Sequence, residues 1–198
     1  MVTAVLADYR GFDTLFETCV MFLAGITALM VLSTTAKVRK PERSREEKLR
    51  ISFSSTVLDT AFRIIVPVIV IYAFYVLAHG ELSLGGGFQA GALLAIAYTI
   101  DRIIPSFNSS LGNLTEETAA MTAGVGVFIY ILTGLLPMAG GGNFLEYGKL
   151  PFGGETADEI RQLHAAGIIL IEIGVVVCVM ATIINILEVV LERTEFDD

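Results

Sequence analysis

Residues 165–187 read AAGIILIEIGVVVCVMATIINIL, a nearly uninterrupted apolar segment. Its 23 residues carry a single charged side chain, Glu172. About 20 apolar residues are enough for a helix to cross the hydrocarbon core of a bilayer. Because lipid offers the backbone no hydrogen-bond partners, such a segment must be helical. The stretch therefore predicts a transmembrane helix with a carboxyl group about four residues from its middle.

Four further apolar runs precede this one, and together they set the class of the protein. They cover residues 18–36, 60–78, 82–100 and 118–145. The chain of 198 residues is 54% hydrophobic and 17% charged, whereas soluble domains contain about 25% charged residues. There are too few charged side chains to cover a water-facing surface. We expect an all-α integral membrane protein with about five transmembrane helices.

Basic residues are concentrated between the first two runs, and they predict the orientation. Seven lie in this connection: Lys37, Arg39, Lys40, Arg43, Arg45, Lys48 and Arg50. The positive-inside rule places such a loop in the cytoplasm, so the N-terminus is expected outside and the C-terminus in the cytoplasm. Ten basic residues then lie inside and three outside. A lipid or nucleic-acid patch is the alternative, but the net charge of −8 argues against a nucleic-acid partner.

The basic connection also divides the chain. Residues 1–36 form a single-helix segment, residues 37–54 a basic cytoplasmic linker, and residues 55–198 a four-helix domain. The N-terminus lacks the basic start and apolar core of a cleavable signal peptide. Cys19 and Cys178 fall within predicted helices without metal-binding spacing. We therefore expect no metal site and no cofactor in this chain.

Glu172 is the leading candidate for chemistry. A carboxylate near the centre of a membrane helix costs about 2.5–3.5 kcal/mol on insertion scales, and such residues usually face a protein interior or a water path. One interpretation is a group that takes up and passes on a proton. The other is a neutral acid hydrogen-bonded across helices for structure. The residue alone favours neither.

Four other side chains are candidates for an ion or proton path. His79 and His164, the only histidines, lie at predicted outer helix ends, where they could relay protons near neutral pH or simply be solvated. Asp13 and Glu17 lie where the first helix begins, a position at which acidic groups stabilise the helix dipole. Arg10 beside them completes a polar cluster of the kind found at ion entrances.

Two further patterns predict packing. Asp59 and Arg63 are four residues apart, which puts them on one helix face as an ion pair. Gly85, Gly86, Gly87, Phe88 and Gly91 form a motif at the start of the third run. Because Gly87 and Gly91 make a G-x-x-x-G step, another backbone can approach this face closely. The partner is either a helix of this chain or a neighbouring protein.

The motifs in the second half of the chain resemble a known family. His79-Gly80, then Gly85-Gly86-Gly87-Phe88 and Gly91, resemble the G-H-x-x-P-G-G-G-F-x-x-G signature of the B-type (MnhB) subunits of Mrp-type multisubunit Na⁺/H⁺ antiporters. Arg63 and Pro67 are similar to an arginine and a proline in the first helix of that family. The segment LIEIGV at 170–175 resembles its L-F-D-I-G-V, with Glu172 in place of Asp. The resemblance covers residues 55–192.

The N-terminal segment resembles a different component of these antiporters. Residues 10–17 are similar to the R-G-F-D-T-x-G-E motif near the C-terminal end of the A-type subunits. Phe16 replaces a glycine of that motif, and Leu84 replaces the proline before the triple glycine, so the chain represents a divergent branch. A fusion of the two pieces is typical of archaeal respiratory complexes related to complex I, namely membrane-bound hydrogenase and sulfane reductase.

The resemblance implies a small subunit of an ion-translocating membrane arm. Such a protein would exchange Na⁺ for H⁺ only together with larger antiporter-like partners, the A, C and D type subunits. It would hold no redox centre and would not be an enzyme alone. The rival hypothesis, from another class, is a purely structural adaptor that holds larger subunits together.

Overall fold

A computed structural model describes residues 10–35, 56–80, 85–103, 114–151 and 156–194. Within these ranges the fold is all helical and contains no strand. The α-helices are α1 (Gly11–Thr35), α2 (Thr56–Ala78), α3 (Gly87–Ile103), α4 (Glu116–Ala139) and α5 (Ala157–Thr194), with a short 3₁₀ helix at Tyr147–Lys149. The all-α class expected from the sequence is confirmed.

Helix α5 is the central element of the bundle. It packs against α4, α3 and α1, whereas α2 packs mainly against α3. In the apolar window of α5, 67% of the residues are buried within the chain, compared with 11% for α1 and for α2. The apolar stretch 165–187 therefore lies in the helix against which α1, α3 and α4 pack.

Four of the helices described here are long and apolar enough to cross a membrane: α1, α2, α4 and α5. The third apolar run, predicted over residues 82–100, differs in its limits because α3 begins only at Gly87 and has 17 residues. The preceding Gly85 and Gly86 are not helical, as expected for residues that cost a helix conformational entropy. The fourth run also ends earlier than predicted, at Ala139 rather than residue 145.

Residues 140–150 fold back over the end of the bundle at which α1 and α5 begin, here called the upper end. The Leu145 amide donates to the Gly134 carbonyl at 3.0 Å, which ties the segment to α4. Leu145 has a φ of 68°, a left-handed conformation that is uncommon outside glycine. The segment brings Tyr147 into the core, where it is fully buried. The opposite end, at Tyr98 and Glu188, is called the lower end.

Some predictions lie outside the described residues. They include the basic linker at 37–54 and Leu84. The Asp59–Arg63 ion pair also stays a prediction, because the side chain of Asp59 falls in this category.

Candidate functional site

Glu172 lies within α5 and is 6% exposed. Its neighbours Ile171 and Val175 belong to the largest apolar core cluster, and Phe88 packs against that cluster. The Glu172 carbonyl faces the first residue of α3, since a Cβ on Gly87 would stand 2.8 Å from this oxygen. The start of α3 is thus pressed against the backbone of the buried acid.

The glycine faces explain why α5 can be so tightly enclosed. A Cβ on Gly91 would come within 2.9 Å of the Val176 carbonyl oxygen, one turn below the Gly87 contact. On the other side, a Cβ on Gly126 of α4 would be 2.5 Å from the Cys178 nitrogen and 2.6 Å from the Gly174 oxygen. These obstacles are backbone atoms, so only glycine permits this separation of the helices.

At the upper end, the N-terminal motif is anchored to the rest of the bundle. The Tyr130 hydroxyl, fully buried in α4, donates to the Gly11 carbonyl at 2.7 Å. A Cβ on Gly11 would meet the Leu145 side chain at 3.1 Å. Asp13 is exposed and forms a 2.8 Å ion pair with Arg10. Glu17, one turn further along α1, is also exposed.

His164 also lies at the upper end of the bundle, where its ring contacts that of Tyr147. The two rings meet edge to face with centroids 6.1 Å apart, and the His164 Nδ1 lies 3.3 Å from the Ile160 carbonyl oxygen. Gly167 makes room for the Tyr147 ring, which a Cβ would approach to 2.6 Å. Tyr147 also lies 3.6 Å from a Cβ placed on Gly11. The structure therefore brings His164 and the N-terminal motif around one buried tyrosine.

His79 occupies a different position. It follows the last residue of α2, stacks on Tyr75 with centroids 4.1 Å apart, and has Nδ1 3.2 Å from the Tyr75 carbonyl oxygen. It is half-buried. The helix that it follows, α2, packs mainly on α3.

Sequence reasoning missed a second buried carboxylate, Glu188, which is 8% exposed at the lower end of α5. Its Oε1 accepts from the Arg102 Nε at 3.1 Å and from the Tyr98 hydroxyl at 3.4 Å. The Tyr98 hydroxyl in turn accepts from the Leu114 amide at 3.0 Å. Arg102 is therefore the partner of a buried acid. The sequence feature that could have revealed Glu188 is its position between two apolar residues, Leu187 and Val189.

Metal chemistry has no visible site in the described ranges. No group of three or more His, Cys, Asp or Glu side chains in them could hold a metal ion. Cys178 is buried, and its thiol donates to the Thr18 carbonyl oxygen at 3.7 Å. Cys19 is half-buried.

Known sequences place the chain among antiporter subunits. It is 26% identical over 138 residues to the B component of a Na⁺/H⁺ antiporter of Bacillus subtilis (strain 168), covering 64% of this chain and 91% of that protein. It is 30% identical over 134 residues to "Putative antiporter subunit mnhB2" of Staphylococcus saprophyticus, covering 66% of this chain and 94% of that protein.

Two solved structures share the fold. A chain of the membrane-bound sulfane sulfur reductase, an archaeal respiratory membrane complex, has a TM-score of 0.70 and 27% identity, covering 96% of this chain and 77% of that one. A chain of the Mrp complex from Dietzia sp. DQ12-45-1b has a TM-score of 0.60 and 26% identity, covering 93% of this chain and 20% of that one. Both belong to multisubunit membrane complexes.

The family assignment follows from the second half of the chain. Residues 57–185, which include α2 to α4 and most of α5, match the family described as "Domain related to MnhB subunit of Na+/H+ antiporter". With its long apolar helices, the chain is a multi-pass protein of the cell membrane. It belongs to the MnhB family of antiporter subunits.

Proposed function

We propose that this chain is an accessory subunit of a Mrp-type Na⁺/H⁺ antiporter module within a respiratory complex related to complex I. In this role it contributes to the path along which Na⁺ and H⁺ cross the membrane. The single observation that carries the proposal is the burial of Glu172 at the start of α3. Family membership and the likeness to the two complexes support the setting.

The start of α3 is an environment that can stabilise the negative charge of this acid. The first amide groups of any helix lack partners within the helix, and the helix dipole makes that end favourable for negative charge. Because the Glu172 carbonyl oxygen faces Gly87, we propose that the buried side chain reaches this end of α3, where such amides can stabilise its anionic form. An acid that is stable both with and without its proton can accept and release one during transport.

The remaining path candidates lie at the upper end. Asp13, Glu17 and His164 lie on α1 and α5, and His79 follows α2. In the proposed orientation, with the N-terminus outside and the C-terminus cytoplasmic, this end faces outward. We include α3 as a fifth span, since 17 helical residues reach about 25 Å at 1.5 Å per residue.

The module needs further subunits. We propose A, C and D type antiporter-like partners, which would supply the main channels, while this chain holds no cofactor and catalyses no reaction alone. Na⁺ and H⁺ are the transported species in this proposal.

The test is Glu172→Gln in the assembled complex, reconstituted into vesicles and assayed for Na⁺-dependent proton movement. Gln preserves size and hydrogen bonding but cannot carry a proton, so we expect transport to fall at least about tenfold with assembly intact. The matched control is Glu117→Gln, because Glu117 is exposed at the start of α4. Normal transport in the Glu172 variant would contradict the proposal.

A structural adaptor is the second candidate, and one observation favours it. Helices α1 and α2 expose large apolar side chains, including Phe12, Phe16, Ile71, Phe74 and Tyr75. Lipid or neighbouring subunits can cover such faces. If Glu172→Gln and His79→Gln each reduce recovery of the complex, and the recovered complex transports normally, the chain is an adaptor rather than part of the path.

A further inference from the structure

Two buried oxygen atoms in the lower half of α5 lack a hydrogen-bond partner within the described part of the chain. They are Oγ1 of Thr182 and Oδ1 of Asn185. Thr182 is 1% exposed and Asn185 is 2% exposed. Buried polar atoms are nearly always satisfied, because leaving one unpaired forfeits the hydrogen bonds it made in water. Two such atoms one turn apart on a helix can share a partner.

The orientation of Thr182 strengthens this conclusion. Helical threonines commonly donate to the carbonyl four residues earlier, and six in the described helices do so: Thr14, Thr18, Thr27, Thr99, Thr122 and Thr133. The Thr182 hydroxyl has no such bond. It does interact with the side chain of Cys178, but a thiol is only a weak hydrogen-bond acceptor, and this thiol donates its own hydrogen to the Thr18 carbonyl of α1. The Thr182 methyl group lies against α1, where a Cβ on Gly25 would come within 2.7 Å of Cγ2 and 3.7 Å of Oγ1. The hydroxyl can therefore bond to a group near the α1–α5 contact.

The two oxygens continue a row of polar side chains. Thr182, Asn185 and Glu188 are spaced three residues apart on α5, so neighbours in the row lie close together on the helix surface. Glu188 already has Arg102 and Tyr98 as partners. The unsatisfied members are the two on the upper side of it, toward the middle of the helix.

We propose that a buried water molecule bridges the Thr182 hydroxyl and the Asn185 side-chain oxygen. The Thr182 hydroxyl can donate its hydrogen to such a water, and the water can donate one of its own to the Asn185 Oδ1 one helical turn away. Internal waters typically bond to two to four polar groups. Hard cations such as Ca²⁺ take about six or more oxygen ligands, and two neutral oxygens are too few. The site extends the polar region of the Glu188 cluster into the bundle and does not depend on transport through Glu172.

The proposal is tested by whether the thermal midpoint falls or rises when one of the two polar side chains is replaced. The readout is the temperature at which half of the tagged chain is lost from the detergent-solubilised complex. Thr182→Val and Asn185→Leu each remove one bond from the water and leave the other oxygen with a less well held partner. We expect each single variant to lower the midpoint by about 2–4 °C. The double variant should lie near the wild type, because both polar groups are then gone.

The contrary outcomes are distinct. If the oxygens have no partner, each single variant replaces an unsatisfied group by an apolar one and raises the midpoint, which overturns the proposal. Additive losses in the double variant overturn it as well. Thr133→Val is the matched control, since Thr133 is buried but donates to the Ile129 carbonyl at 2.8 Å. The decrease in midpoint that Thr133→Val causes should be the same with and without Asn185→Leu.

Two further measurements decide the result even if a variant fails to assemble. An electron-density or cryo-EM map of the wild-type complex that resolves waters should show a peak about 2.7–3.2 Å from both oxygens. An apolar gap there, or a side chain from a neighbouring protein, contradicts the inference. The wild-type midpoint should also be equal in NaCl and choline chloride of the same ionic strength. A Na⁺-specific rise that Thr182→Val abolishes would assign the site to the cation instead.

Discussion

Glu188 shows how a charge is accommodated within this bundle. The Arg102 guanidinium is 38% exposed while the Glu188 side chain is 10% exposed, so the pair joins a buried acid to a base at the bundle surface. The hydrogen bond from Tyr98 adds a neutral partner on the same helix as Arg102. This arrangement fixes the lower end of α3 against α5 and gives Glu188 a structural explanation.

Glu188→Leu should therefore destabilise the chain without a direct effect on transport. The change leaves the Tyr98 hydroxyl without its acceptor and Arg102 without its counter-charge, at a cost of about 1–3 kcal/mol in unfolding free energy. Exposure of Arg102 to water keeps the loss toward the lower value. Glu188→Gln, which retains a hydrogen-bond acceptor, should lose less. Thermal unfolding of the solubilised complex measures both, and equal stability of Glu188→Leu and wild type would contradict the assignment.

Glu146 gives the upper end a dependence on pH. Its carboxylate accepts from the Asn143 amide at 2.8 Å and pairs with Lys149 at 3.2 Å. The hydrogen bond from the Asn143 amide, aided by Lys149, lowers the pKa of Glu146 below its ordinary value. A group whose pKa is depressed by folding stabilises the fold above its unfolded pKa, and loses that contribution as the pH falls through the folded pKa.

We expect the segment 140–151 to exchange its amide hydrogens faster in Glu146→Gln than in the wild type at neutral pH. The difference should disappear once the pH falls below the folded pKa of Glu146, because the wild-type carboxyl is then neutral as well. Hydrogen exchange with mass spectrometry, corrected for the intrinsic effect of pH, measures the difference. A difference that persists in acid would show that the charge is not the cause.

The close contact between helices α4 and α5 requires a glycine, which has no side chain, at position 126. Gly126 faces backbone atoms of Gly174 and Cys178, which cannot move without displacing the helix. Gly124, two residues earlier on α4, faces only the ring of Phe22 at 3.5 Å. The two glycines therefore separate the effect of close packing from the general effect of glycine in a helix.

Gly126→Ala should push α4 away from α5 and cost about 1–3 kcal/mol through overpacking. Gly124→Ala should be neutral or slightly stabilising, because its Cβ meets an ordinary contact distance and alanine favours helix over glycine. The yield and thermal midpoint of the two variants, prepared in parallel, give the comparison. A Gly126 variant as stable as the Gly124 variant would mean that the helices lie further apart than described.

For the molecule as a whole, the hydropathy of the sequence predicts which segments form long helices, but it does not predict where those helices begin and end. The run at 165–187 becomes a helix of 38 residues, Ala157–Thr194, because the polar residues that flank the run also adopt a helical backbone. The start of α3 at Gly87 follows from the glycines, which a simple count of apolar residues ignores. Local pattern thus predicts which segments form apolar helices, while capping and tertiary contacts decide where each helix begins and ends.

The residues of the candidate site also fall into two groups, those that a local sequence pattern reveals and those that only contacts between distant segments bring together. Glu172 is recognisable from sequence because one charge in an apolar run is a local anomaly. The Glu188 cluster is not, since its partners Tyr98 and Arg102 are 90 and 86 residues away along the chain. Tyr147 likewise lies outside every predicted span, and only the returning segment after α4 brings it beneath His164. Contacts between distant segments carry no periodic signal in one sequence.

The arrangement of α1 leads to a prediction about the whole chain. Helix α1 packs on α5 and α4, through contacts that run from Gly11 and Tyr130 at the upper end to Gly25 and Thr182 below. If these contacts suffice, a covalent link to α2 is unnecessary for the association, in agreement with the resemblance of residues 10–17 to part of a different protein.

A protease site introduced within residues 37–54 should therefore leave the two fragments together after cleavage. Because Gly25 lies against Thr182, Gly25→Leu should weaken the association by forcing α1 from α5, whereas Leu23→Ala, at an exposed position on the same helix, should not. Co-purification of the tagged N-terminal fragment with the remainder, in detergent and after cleavage, measures the outcome. Release of α1 from the cleaved wild-type chain would show instead that the linker, rather than the helix interface, holds the two parts together.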